Sequence, residues 1–339
     1  AQLSRSVGVR LCTRRLSVRI SRTMGSASAD PPLASRETTW NSEGPVFADV
    51  GLMAPRLLLP NKNVDMRKWS VIACDQYTSE PAYWQRVAEY VGESPSTLHL
   101  TFPEVYLPQN RDHSIIASIL NKMDEYASSG IFVHHEPGFV LVDRRTPAAE
   151  SRLGLVVALD LELYSFQKNS QSLIRPTEKT IESRLPPRVA IRKDAPYESP
   201  HILVLIDDPE CTVIEPLVGK RASMRRLYDF DLMEESGHLT GHHITSPMDM
   251  GMVADALRKL ASKDRFQQRY GASDDQSPIL FAVGDGNHSL ATAKQCWEAA
   301  KADGAAMDHP ARFALVELNN VHDPGLRLHP IHRLVEGVD

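Results

Sequence analysis

Three apolar segments, residues 131–134, 138–143 and 154–160, follow one another too closely for helical crossovers to lie between them. Strands joined so tightly pair antiparallel, so a purely doubly wound sheet is excluded. Further apolar runs predict strands over 69–74, 201–206, 279–283 and 313–318, and helical periodicity predicts helices over 82–91, 112–128, 247–262 and 290–303. The pattern gives a mixed α/β or α+β fold, a mixed sheet with flanking helices. With 339 residues, 42% of them hydrophobic and 24% charged, the chain can bury a substantial core. A net charge of -5 argues against a nucleic-acid partner, and no apolar run reaches membrane-span length. Cys12, Cys74, Cys211 and Cys296 show no zinc-ligand spacing, so no structural metal is expected.

The amino-terminal stretch is different in kind. Arg5, Arg10, Arg14, Arg15, Arg19 and Arg22 all precede the first acidic residue, Asp30, and alternate with serines and aliphatic residues. This is the composition of a transit peptide, so residues 1–45 read as a basic leader directing the chain to the mitochondrial matrix. Residues 46–339 then form the globular domain. Initiation at Met24 would instead give a cytoplasmic form, and a disordered basic arm is a third reading.

Chemistry concentrates in residues 279–298, where an apolar strand enters a helix through Gly284-Asp285-Gly286-Asn287-His288-Ser289. Glycines there let a ligand approach the main chain, and N–H groups opening the helix favour an anion. A plain strand-to-helix corner needs Gly, Asp and Asn as well, but it does not need Asp and His together. Leu290, Ala293, Trp297 and Ala300 recur at helical spacing, which places Trp297 in the core. Residues 165–200 read as a polar connection with Arg175, Arg184, Arg188 and Arg192 spaced through it, arginines that either solvate a loop or converge on an anion. Asp207-Asp208 reads as a turn in preference to a cation site, and His242 and His243 as packing or surface residues in preference to ligands.

Six motifs occur in order: Ile72-Ala73-Cys74-Asp75-Gln76-Tyr77, residues 98–107 (Leu-His-Leu-Thr-Phe-Pro-Glu-Val-Tyr-Leu), Ile174-Arg175-Pro176-Thr177-Glu178-Lys179-Thr180, Pro200-His201, Gly284 to Ser289, and Pro330-Ile331-His332-Arg333. Together they resemble the DUF1015 family of uncharacterised proteins, from about residue 46 to the end. Family members generally continue past the His-Arg motif, which implies that this chain is truncated at its carboxyl end. The family's more usual turn, Asp-Gly-His-His-Arg, is similar to that of free serine kinases of the ParB and sulfiredoxin-like fold, where it contacts nucleotide phosphates. Here Asn287 stands for the first histidine and Ser289 for the arginine.

That second resemblance implies a ParB-like core around 279–335, completed by earlier strands, and ATP or ADP with Mg2+ as cofactor. It implies phosphoryl transfer on a small hydroxylated or phosphorylated metabolite, and the placing of bacterial relatives near serine biosynthesis genes points to serine or phosphoserine. In this scheme Asp75 is the base or amine anchor, while Asp285 and His288 orient phosphate. Gly284, Gly286, Asn287 and Ser289 line the phosphate, together with His332. Arg175, Arg192 and Arg333 neutralise charge, with Glu178 and Glu104 as reserve carboxylates. A phosphohydrolase on the same substrates and a non-catalytic nucleotide or metabolite sensor are the alternatives.

Overall fold

The computed structural model describes residues 10–11, 38–40, 44–72, 77, 79–103, 105–106, 114–199 and 202–327, with backbone alone at 10–11 and 38–40. Most of the basic leader lies outside these residues. The main sheet is 11-stranded and mixed. Its main path runs Arg225–Asp231, His238–Ile244, Phe139–Thr146, Ala149–Asp160, Phe313–Asn320, Ile202–Ile206, Phe281–Asp285, Ile174–Pro176. As the short connections require, Phe139–Thr146 and Ala149–Asp160 pair antiparallel. Two parallel pairings stand at the other side: Ile202–Ile206 with Phe313–Asn320, and Phe281–Asp285 with Ile174–Pro176. Phe281–Asp285 and Phe313–Asn320 are joined through Ile202–Ile206, and the sheet continues beyond them on both sides.

Strand alternation sorts the core into two layers. Leu155, Val157, Val204, Val316 and Leu318 face the helices Pro247–Leu260 and Asn287–Ala302, which contribute Val253, Leu257, Leu290 and Trp297. Trp297 is fully buried, and its Nε1 donates to Glu162 Oε1 at 2.5 Å. On the opposite face, Val140, Val142, Val156 and Leu315 meet Ile119, Met123 and Tyr126 of helix Ser114–Ser128 and a separate two-stranded antiparallel sheet of Leu57–Pro60 with Phe132–His135. Among the described residues, no helix is long and apolar enough to cross a membrane.

The expected strand over 69–74 is not formed in its described part. Asp65 accepts from the backbone N–H of Arg67 and Lys68 at 2.9 and 3.3 Å and caps a short helix, Met66–Trp69. Trp69 is then buried edge-on against Phe132, and Ser70–Ile72 enters no sheet. A local cap outweighs an apolar run too short to recruit a partner strand. The connection over 165–200 is likewise more ordered than a loop: it contains strand Ile174–Pro176 and helix Leu185–Arg192, whose first turn tolerates Pro186 and Pro187 because N–H groups there have no intrahelical acceptor.

The second face also buries charge. Arg152 donates from Nη2 to Glu317 Oε1 at 2.9 Å, and Asn319 Nδ2 donates to the same oxygen at 3.2 Å. Both charged residues are nearly solvent-free, and Gly154 makes the room: a Cβ there would lie 2.2 Å from Glu317 Oε1. Removing one partner strands the other in a low dielectric. Glu317→Ala should therefore cost about 3–5 kcal/mol in urea unfolding, whereas Arg152→Met with Glu317→Leu should cost markedly less.

His243 packs edge-on against His135 with ring centroids 6.0 Å apart, under Gly138, which has no side chain to obstruct it. Burial, with nearby His135 and Arg225, pushes the His243 pKa down to about 4. The folded state thus refuses a proton that the unfolded chain takes up below its ordinary value, so stability is full above that value and falls as the pH drops toward 4. Between pH 7 and pH 5 this histidine should remove about 2 kcal/mol of unfolding free energy. His243→Leu should flatten that part of the pH profile in denaturant titrations.

Candidate functional site

Strand Phe281–Asp285 runs antiparallel to Ile202–Ile206 and parallel to Ile174–Pro176. One end of the sheet therefore collects the exit of Ile174–Pro176, the exit of Phe281–Asp285 and the entry to Ile202–Ile206. Two of the six sequence motifs, Ile174 to Thr180 and Gly284 to Ser289, meet there. Pro200 and His201 lie outside the described residues, but Ile202, which follows them, packs directly on the turn.

Backbone shape at the turn comes from local constraints. The register slips between Leu203 and Val204, so that Leu203 faces Asp285 while Val204 faces Val283. Such a bulge redirects a strand end. Gly286 follows with φ 83, in the left-handed region, and a Cβ there would come within 3.2 Å of Ile202 Cα. Gly284 is needed for a different reason, because a Cβ would press to 2.8 Å on the Leu205 side chain. The helix Asn287–Ala302 starts at once with no side-chain cap at Gly286. First-turn N–H groups have no acceptor within their own helix, so they make this end favourable to anions.

Side chains then fix the turn. Asp285 Oδ1 accepts from Gly286 N–H at 2.7 Å. Asn287 is buried, and its Nδ2 reaches Val283 O at 3.3 Å and Thr177 Oγ1 at 3.5 Å, while the Thr177 hydroxyl donates to Val283 O at 2.6 Å. These bonds tie the helix start, the strand exit and the neighbouring motif into one unit. His288 Nε2 accepts from Ile181 N–H at 3.2 Å. An accepting Nε2 places the ring proton of the neutral imidazole on Nδ1. Ser289 is partly exposed one residue further on.

The spaced arginines do not share one fate. Arg175 donates from Nε to Ser172 O at 2.6 Å and from Nη2 to Ser277 O and Pro278 O at 2.8 and 3.1 Å, stitching two loops together. Arg192 pairs with Glu198, whose other oxygen accepts from Leu315 N–H. Arg184 is exposed and stands three residues beyond Ile181, the residue that orients His288. Glu178 is exposed in the stretch after Thr177. Asp75, Glu104, His332 and Arg333 lie outside the described residues.

At the opposite end of Ile202–Ile206, Asp208 caps a turn, accepting from Val213 N–H at 2.9 Å and from the Thr212 hydroxyl at 3.1 Å. Asp207 is taken by Arg269, Tyr270 and His322. Among the described residues, no three or more His, Cys, Asp or Glu side chains gather as metal ligands would. Residues that sequence reasoning passed over are Thr177 and Ile181, which hold the turn, and the buried Arg152, Glu317 and Asn319. A carboxylate inside the apolar run 313–318 was the available signal for Glu317.

Replacing Gly286 by alanine would force a side chain into left-handed backbone against Ile202. Gly286→Ala should cost about 1–2 kcal/mol in thermal or urea unfolding. Gly271→Ala, equally left-handed but with open space around it, separates the backbone term from the contact with Ile202.

A family model described as a protein of unknown function, DUF1015, matches residues 58–339. No curated protein and no solved structure matches.

Proposed function

The chain belongs to the DUF1015 family, whose description assigns no activity, and on that premise we propose that the Gly284 to Ser289 turn holds the phosphate of a small phosphorylated or hydroxylated metabolite for phosphoryl transfer. The observation that carries this reading is the uncapped start of helix Asn287–Ala302, opened by a left-handed glycine and flanked by an oriented His288. Helix N–H groups suit a phosphate oxygen. Phosphoryl transfer asks mainly for such positioning and for a base to take the hydroxyl proton. In this reading Asp75, from the Ile72 to Tyr77 motif, is that base: it takes the proton of the acceptor hydroxyl or water as the new O–P bond forms, while the P–O bond to the donor's leaving oxygen breaks, the pair to try first being phosphoserine as donor to water or a nucleotide as donor to serine.

A nucleotide polyphosphate does not fit the described residues equally well. Two of the arginines that would neutralise it, Arg175 and Arg192, are engaged with loop carbonyls and Glu198. The same observation favours, as the second reading, a sensor that binds a phosphorylated metabolite without turning it over.

Thermal-shift titration with phosphoserine, inorganic phosphate, pyrophosphate, ADP and ATP tests the site. Phosphoserine or phosphate should raise the melting temperature, corresponding to about 2.7 kcal/mol at a ligand concentration 100 times Kd. Asp75→Asn should keep that shift and lose turnover if the protein is an enzyme. A shift without turnover by the wild type on any phosphorylated or hydroxylated metabolite supports the sensor, and no shift with any phosphate overturns both.

A further inference from the structure

Asn287 is only 3% exposed, and its Oδ1 has no hydrogen-bond partner among the described residues. Its Nδ2 is committed to Val283 O and Thr177 Oγ1, so the amide cannot exchange its two ends without facing oxygen to the Val283 carbonyl. The unpaired atom is therefore an acceptor, held in place beside the first turn of helix Asn287–Ala302. Leaving a buried carbonyl unmatched is destabilising, so this oxygen is in want of a donor. Helix N–H groups attract an anion, but an amide oxygen beside them repels one and calls for a donor.

From this juxtaposition we infer that the ligand is a phosphate-type anion bearing a neighbouring O–H or N–H donor, with the anion on the helix start and the donor on Asn287 Oδ1. This rests on the turn being an anion site, as proposed above. It adds a discriminating residue, because a site that hydrogen-bonds a donor rejects the analogue lacking it far more strongly than an apolar pocket can. Asn287 Oδ1 is closed to solvent in this conformation, so the donor reaches it only with a local shift around the turn.

The test uses the full chain and two matched probe pairs, phosphoethanolamine against ethyl phosphate and glycerol 3-phosphate against propyl phosphate, measured by calorimetry. The donor-bearing member of at least one pair should bind tenfold or more tightly, and Asn287→Leu should abolish the difference; because it also removes the Nδ2 bonds to Val283 O and Thr177 Oγ1, its melting temperature and far-ultraviolet circular dichroism are measured alongside to show that the chain is folded. Asn287→Asp, which keeps an acceptor, should retain part of the preference. Equal binding within both pairs overturns this inference and leaves the anion site standing. A preference that survives in Asn287→Leu overturns the role of Asn287, and no binding by ethyl or propyl phosphate or by their partners overturns the anion site as well.

Discussion

The double pairing of Ile202–Ile206 is the constraint on which the candidate site depends. This strand is parallel to Phe313–Asn320 on one side and antiparallel to Phe281–Asp285 on the other. Reversal of direction at that point sends the Gly284 to Ser289 turn to the end of the sheet where Ile202–Ile206 begins. Parallel addition of Ile174–Pro176 at the edge brings Thr177 to the same end. Only then do Ile202 beneath Gly286 and Leu205 beneath Gly284 leave no room for a side chain at either glycine. The chemistry of the turn is thus inherited from strand order.

Much of this order was legible in the sequence because it rests on local signals. Close spacing of segments 138–143 and 154–160 required antiparallel pairing, though Phe132–His135 leaves its near neighbour to pair with Leu57–Pro60, and periodicity placed helices that the structure has as Pro81–Val91, Ser114–Ser128, Pro247–Leu260 and Asn287–Ala302. The strand-turn-helix at 279–298 was equally plain. What failed was the apolar run at 69–74, where Asp65 caps a helical turn that consumes Trp69. Strand length was also misjudged, since Phe139–Thr146 and Ala149–Asp160 run on through the buried Arg144 and Arg152, the latter paired with Glu317 across the sheet.

At the site, sequence identified the turn but not its supports. Asp285, Asn287 and His288 stood out as residue types, whereas the groups that fix them are local backbone, Gly286 N–H and Val283 O, and two partners more than a hundred residues away, Thr177 and Ile181 N–H. Arginine density suggested a common anion, yet density carries no direction. Arg175 turned to loop carbonyls and Arg192 to Glu198, because those groups would otherwise lack partners. The buried Arg152 and Glu317 pair shows the same rule at work in the core: each charge meets the other, and Glu317 also accepts from the Asn319 amide.

The central claim is that the uncapped start of helix Asn287–Ala302 binds a phosphate group. Titration of isotopically labelled protein with phosphoserine, followed by amide chemical shifts, reads this directly at the groups concerned. Saturable shifts at the N–H signals of Asn287, His288 and Ser289, with smaller ones at Thr177 and Ile181, are the predicted result. Saturable binding that leaves those amides unmoved and perturbs another part of the sheet would contradict it.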